Sequence, residues 1–292
     1  MNTVAAGNQM PSLSIVIPAK NESSTIEGIV AGIRERYAEA EIVVVDDGST
    51  DSTGVLAKKA GAKVVRHPES LGNGAAVKSG ARAATGDILC FMDADGQHDP
   101  DEIASLIQKL GEGYDMAIGA RNSESHASAG RLFANGLYSR LASLITGRRI
   151  PDLTSGFRVV RAHLFNRFLY LLPNGFSYPT TITMAFLRSG YSVGFVQIKS
   201  HRRIGKSHIR PLQDGLRFLV IIFKVATLYA PLKVFLPVSG LFFATGLGYY
   251  VYTFITMGRF TNMSLLVFSA SVIVFLIGLI SEQITALTYS KS

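Results

Sequence analysis

Two aspartates one residue apart, Asp93 and Asp95, close the stretch Asp87-Ile88-Leu89-Cys90-Phe91-Met92-Asp93-Ala94-Asp95-Gly96-Gln97-His98-Asp99. Across a turn, carboxylates with this spacing can converge on one hard cation, and Gln97 can add an amide oxygen. Such oxygen donors suit Mg²⁺ or Mn²⁺, which keep other positions for water or substrate phosphate. A solvated acidic turn has the same sequence, so the pair gains meaning only from its surroundings.

Asp46-Asp47-Gly48-Ser49 forms a second acidic cluster. Acidic strand ends also occur in phospho-acceptor domains, and Asp47 could equally accept hydrogen bonds from a base or ribose. Gly72-Asn73-Gly74-Ala75-Ala76-Val77 partly mimics a dinucleotide fingerprint, but Val77 stands in place of the third glycine and no strand directly precedes it. It reads as a tight turn into a helix whose amino end could face an anion. Cys90 is the only cysteine, so no disulfide forms within the chain, and its apolar neighbours make it a small buried hydrophobe.

These residues need elements to carry them. Ile88 to Met92 has the length and composition of a buried strand, as do 12–18 and 41–45, with further strands at 62–66, 114–119 and 193–199. Helical periodicity or helix signals fall near 23–33, 52–60, 72–84, 101–110, 131–146, 161–171 and 179–189. The alternation predicts an α/β fold with a doubly wound, mostly parallel sheet. The loops after Ile17, Val45 and Met92 should then open on one edge, where such sheets bind ligands.

Charge is unevenly placed. The net charge of +8 comes almost wholly from Lys199 to Lys233, where eight basic residues face Asp214 alone. This basic collar runs into apolar sequence, so an anionic membrane surface suits it better than nucleic acid, which is not expected as a partner. Segment 212–230 is apolar but holds Asp214, Arg217 and Lys224, which fits a helix lying in the interface. Segments 234–257 and 262–286 are long enough to span a bilayer, and only Glu282 is charged within them. The resulting division is a tail (1–11), a catalytic domain (12–200), a basic juxtamembrane region (201–233) and a transmembrane hairpin (234–289). The polar start of the chain predicts no cleaved leader. Positive residues before the first span predict a cell-membrane protein with both termini and the catalytic domain cytosolic.

Taken in order, Pro18-Ala19-Lys20-Asn21-Glu22, Asp46-Asp47-Gly48-Ser49, Gly72-x-Gly74-x-Ala76 and Asp93-Ala94-Asp95 resemble the family 2 glycosyltransferases with a GT-A fold. Thr154-Ser155-Gly156-Phe157-Arg158 and Arg202-x-x-Gly205-x-Ser207 look like the polyprenyl-phosphate sugar synthase group. The resemblance spans roughly 12–210 and implies roles by position. Pro18, Ala19, Asn21, Glu22, Asp47 and Gly48 would contact the nucleotide, with Ala94, Arg121 and Arg131 near its phosphates. Asp93, Asp95 and Gln97 would hold Mg²⁺ or Mn²⁺. Ser155, Arg158, Arg203, Lys206, Ser207, His208 and Arg210 would serve the acceptor, and Asp95, Asp152 and Arg202 the reaction. Asp152 could orient the acceptor or act as a weak base, and capping its own loop is an equal reading.

The implied partners are a nucleotide sugar, a polyprenyl phosphate lipid and the membrane, with a homo-oligomer left open. The implied reaction is inverting, metal-dependent hexose transfer from a UDP- or GDP-linked donor to dolichyl or undecaprenyl phosphate. Two alternatives stand beside it. One is a membrane polysaccharide synthase, although the chain has no tryptophan for that group's usual acceptor motif. The other is a tethered nucleotide-binding partner without catalysis.

Overall fold

The computed structural model describes residues 11–121, 136, 139–140, 142–144, 146–175, 178–199, 223 and 226–290. Seven strands form one sheet: β1 (Leu13–Ala19), β2 (Glu41–Asp46), β3 (Lys63–Arg66), β4 (Ile88–Phe91), β5 (Met116–Arg121), β6 (Arg158–Arg161) and β7 (Val193–Ile198). Between them run α1 (Ile26–Arg36), α2 (Thr53–Lys59), α3 (Asn73–Ala83), α4 (Glu102–Gly111), α5 (Ala162–Arg167) and α6 (Tyr178–Arg188). The order across the sheet is β3-β2-β1-β4-β6-β5-β7. Every pairing is parallel except the two made by β6, which runs against both β4 and β5.

The central strands are buried on both faces, which is why their sequences are continuous apolar runs rather than alternations. α1 buries Ile26, Val30 and Ile33, one stripe at helical spacing, in the same core as Ile15, Ile17, Val44 and Cys90. Strand β6 is not among the strands expected from sequence, which placed only a helix near 161–171 after the 154–158 motif. Arg158-Val159-Val160-Arg161 is only four residues long, and its pairing comes from neighbours distant in sequence. The expected helix over 161–171 is α5 followed by a short 3₁₀ turn, Leu169–Leu171.

Glu41 ties the amino ends of three strands together. Its carboxylate accepts hydrogen bonds from Ser14 Oγ at 2.6 Å, Thr85 N at 2.7 Å and Lys63 Nζ at 3.0 Å. Burial opposes its ionisation, but these donors lower its pKa from 4.5 to about 2. A depressed folded-state pKa gives stability that is present above the unfolded value and lost as pH falls towards the folded one. Glu41→Gln should therefore cost on the order of 1–2 kcal/mol at neutral pH, allowing for solvent screening. Melts across pH should show the wild type losing this advantage between about 4.5 and about 2.

The chain divides into two compact units, Met1–Arg140 with Arg149–His208, and Leu141–Arg148 with Ile209–Ser292. Leu141–Arg148 groups with the second of these units. In the second unit, α7 (Pro231–Met257) and α8 (Asn262–Ser290) form a helical hairpin closed by Gly258 in the left-handed region at φ +65°. Each holds a 27-residue candidate span, Pro231–Met257 and Asn262–Thr288, whose most apolar 18-residue windows have mean hydropathies of 1.5 and 2.7. At 1.5 Å per residue each exceeds the roughly 30 Å of a bilayer core. Little of either surface is buried, 11% and 17% of the most apolar windows. A water-facing protein rarely leaves that much apolar surface open, so the pair reads as candidate membrane spans. Ser239 and Ser271 each donate a side-chain hydrogen bond to the other's carbonyl at 2.9 Å, joining the helices through small polar residues.

Candidate active site

Because β1, β2, β4 and β5 run the same way, their carboxyl ends share one rim. Strand β6 is reversed, so its first residue, Arg158, pairs with Phe91 at the end of β4 and brings the 152–157 turn to that rim. Open α/β sheets bind ligands there, beyond the strand ends.

The Asp93–His98 loop leaves β4 and is fixed from three sides. Thr25, just before α1, donates its hydroxyl to Ala94 O at 2.7 Å. Gln97 N donates to Asp95 Oδ1 at 3.1 Å across Gly96, whose φ of +73° suits glycine. His98 lies flat on Phe157 with ring centroids 4.7 Å apart, and its Nε2 stands 3.7 Å from Asp93 Oδ2. Asp95 is buried, while the Asp93 side chain is 35% exposed. Among the described residues no three His, Cys, Asp or Glu side chains converge on one point. Two carboxylates and an amide oxygen are therefore an incomplete shell. That donor set fits Mg²⁺ or Mn²⁺, which fill their remaining positions with water and substrate phosphate. Gly156 supports the fit, since a Cβ there would stand 3.0 Å from Asp93 Oδ2 and crowd the carboxylate.

The loops after β1 and β2 brace each other. Asn21, at φ +55°, accepts from Thr50 N at 2.9 Å through its side-chain oxygen, and its own N donates to Ser49 Oγ at 3.0 Å. Glu22 N donates to Thr53 Oγ1 at 2.8 Å. Asp47 accepts four hydrogen bonds: from His67 Nδ1 at 2.7 Å, Ser70 Oγ at 2.8 Å, Leu71 N at 2.9 Å and Gly72 N at 3.0 Å. Burial raises the Asp47 pKa, but those donors outweigh it and hold the carboxyl below the usual range. Here Asp47 acts as the clasp of the 67–72 loop. The amino end of α3 does not stand open to an anion, as the glycine pattern had allowed. Asn174 O accepts from Ala75 N at 3.1 Å, and a Cβ on Gly74 would meet Pro173 O at 2.0 Å. Those glycines admit the 173–175 backbone.

On the far side of the acidic pair, Arg121 and Asp152 form a two-pronged ion pair. Arg121 Nε donates to Oδ2 at 2.8 Å and Nη2 to Oδ1 at 3.2 Å, while Nη2 also reaches Thr154 Oγ1 at 2.7 Å. Thr154 N donates to Asp152 Oδ1 at 3.0 Å. Burial opposes the charge on Asp152, yet the hydrogen bonds and charge of Arg121 keep its pKa below the ordinary value. Burial likewise opposes the charge on Arg121, but Asp152, then Asp93 and Asp95, raise its pKa. A carboxylate in this state orients Arg121 and caps its own turn, which is the capping reading that stood beside orienting the acceptor or acting as a weak base.

A model for "Glycosyl transferase family 2" matches residues 14–169 of the chain. The chain belongs to that family. A second model, "GtrB C-terminal hairpin", matches residues 230–287 of this glycosyltransferase. Dolichyl-phosphate hexose transferase of Haloferax volcanii is 30% identical to it over 206 residues, covering 70% of this chain and 89% of that protein. Polyprenol monophosphomannose synthase of Mycolicibacterium smegmatis is 28% identical over 228 residues, covering 73% and 84%. Among solved structures, glucosyl-3-phosphoglycerate synthase from Mycobacterium tuberculosis in complex with Mg²⁺ and uridine diphosphate aligns with a TM-score of 0.59. Identity there is 25%, over 74% of this chain and 80% of that one. The fold of the glycosyltransferase is accordingly GT-A-like.

Of the residues singled out from sequence, Pro18, Ala19, Asn21, Glu22, Asp47, Gly48, Asp93, Ala94, Asp95, Gln97, Arg121, Asp152 and Ser155 lie on strand ends or loops at this one rim. Arg158 requires a correction. It was expected to line the acceptor side, but it is fully buried. Its guanidinium donates to Pro179 O at 3.1 Å, Thr183 Oγ1 at 3.2 Å and the carbonyl of Ser155, beneath the ring of Tyr178. Burial lowers its pKa, and no carboxylate reaches it within ion-pair distance among the described residues. It joins the 154–156 turn to α6 instead of standing open on a ligand-facing surface. Arg131, Arg202, Arg203, Lys206, Ser207, His208 and Arg210 lie outside the described residues, as does most of the expected interface helix over 212–230. Sequence pattern did not single out His98, Thr25 or Tyr178, because each owes its place to a contact across the fold. His98 alone left a trace, standing five residues after Asp93.

Proposed function

We propose that this glycosyltransferase moves a hexose from a UDP- or GDP-linked sugar to a polyprenyl phosphate at the cytosolic face of the membrane, inverting the anomeric carbon. One observation carries the reading: an acidic pair on the ligand-binding rim of a family 2 domain shares its chain with a long apolar hairpin. Relatives named for dolichyl, polyprenol and undecaprenyl phosphate acceptors support it.

The chemistry asks little of the protein by way of proton transfer. A lipid monophosphate has a second pKa near 6 by analogy with phosphoamino acids, so it is largely ionised at neutral pH. Its oxygen attacks the anomeric carbon, the bond from that carbon to the donor diphosphate breaks, and the pair of electrons leaves on the nucleoside diphosphate. The products are a lipid phosphosugar and the free diphosphate. Asp93, Asp95 and Gln97 would hold Mg²⁺ or Mn²⁺, which when bound neutralises charge on the leaving diphosphate. Arg121, steadied by Asp152, adds fixed positive charge beside the acidic pair. Arg131 and Arg202 are assigned by resemblance to phosphate contacts, and Ser155, Arg203, Lys206, Ser207, His208 and Arg210 to the acceptor side. The basic collar would gather an anionic lipid headgroup at the surface.

A panel of radiolabelled nucleotide sugars, offered with one polyprenyl phosphate, tests the proposal. Label should pass into the organic extract as a mild-acid-labile lipid. Label in a water-soluble polymer would favour a polysaccharide synthase, and nucleotide binding without transfer would favour a non-catalytic partner. Either result would overturn the proposal.

A further inference from the structure

His98 is a buried polar side chain to which the reaction above gives no part. Its side chain is 3% exposed, and its Nδ1 has no hydrogen-bond partner among the described residues. An orphaned ring nitrogen inside a packed fold carries a stability cost that phenylalanine or leucine would avoid. What the imidazole does make is a pair of contacts at the acidic loop. One face stacks on Phe157 with the planes 18° apart. Its Nε2 edge faces Asp93 Oδ2 at 3.7 Å, longer than a hydrogen bond but close enough for an ion–dipole contact that restrains the carboxylate. From the opposite chain segment, Gly156 closes on the same carboxylate, and Tyr178 Oη holds Gly156 by donating to its carbonyl at 3.3 Å.

We propose that His98 is the positioning residue that keeps Asp93 oriented for a divalent metal and, through Phe157, fixes the Gly156 turn against it. The inference rests on the reading of Asp93 as a metal ligand. The metal loop and the turn leading into β6 are thereby held as one unit, so disturbing either loosens the metal position.

The test is an electron paramagnetic resonance titration of the full chain in detergent with Mn²⁺, without sugar donor or lipid. H98F keeps the ring stack and removes Nε2, whereas H98Q returns an amide group at similar reach. H98F should weaken Mn²⁺ binding about 10- to 100-fold, the usual effect of removing a partner behind a metal ligand, and H98Q should recover part of it. Native Mn²⁺ affinity in a folded H98F overturns the proposal. If H98F does not fold, F157L decides in the same way: it keeps Nε2 without its flat support and should bind Mn²⁺ several-fold more weakly, and native affinity there is refutation. No Mn²⁺ binding by the unaltered chain would overturn the metal reading and this inference together. Mn²⁺ binding that follows the expected order, with no sugar transferred to lipid, would overturn the lipid acceptor alone.

Discussion

Asp95→Asn is expected to fold normally and to lose sugar transfer almost completely. Asp95 is buried at the rim, and its Oδ1 already accepts from Gln97 N at 3.1 Å, a bond that an asparagine oxygen can keep. The loop should therefore hold its shape while the site loses one unit of negative charge. If the metal supplies several kcal/mol to the departing diphosphate, even about 3 kcal/mol lost is roughly a 150-fold fall in turnover. Thermal melts should agree with wild type within a few degrees while lipid-linked product falls by at least that factor. Undiminished turnover in saturating Mg²⁺ and Mn²⁺ would remove Asp95 from the reaction.

The second large effect concerns stability. Asp152→Ala leaves the Arg121 guanidinium without the two oxygens it grips and frees the amide and hydroxyl of Thr154. Breaking a fully buried pair costs about 3–5 kcal/mol, and the partial exposure of Arg121 brings the expectation to about 2–3 kcal/mol. For a soluble unit of this size that is a fall in melting midpoint of roughly 5–10 °C. The sign with pH follows from the depressed pKa of Asp152: its contribution is present above the ordinary carboxylate range and fades below it. The mutant's deficit should therefore be largest near neutrality and shrink in acid. Residual activity in Asp152→Ala should keep the wild-type pH profile, because the carboxylate orients Arg121 and does not take up a proton. Disappearance of the acid limb from that profile would restore the general-base role.

Sequence pattern revealed the parts that depend on neighbours along the chain. Strands β1, β2 and β4 are short β-branched or apolar runs ending in acidic or polar loops, and nothing in their surroundings disguises them. The hairpin was visible because apolar length alone marks it. Residues whose meaning lies in a partner far along the chain stayed hidden. Asp152 and Arg121 are 31 positions apart, and neither residue type foretells the other. Arg158 looks like a surface cation in sequence, and only the packing of α6 over it shows a buried one. Asp47 read as a nucleotide contact by resemblance, and nothing in its neighbourhood foretold that its donors come mostly from a loop more than twenty residues on. Strand β6 escaped because direction within a sheet leaves no mark on a four-residue run.

That inverted strand has an architectural consequence. Six co-directional strands offer the rim only segments on their way out of the sheet, whereas β6 delivers one on its way in. The described turn over 152–157 therefore meets the rim before its strand begins, with Arg158 as the first rung of β6. Because Asp152 and Thr154 in that turn grip Arg121, and Gly156 stands against Asp93, any change in what β6 brings inward is felt at the acidic pair, even where no backbone rung between β4, β6 and β5 shifts.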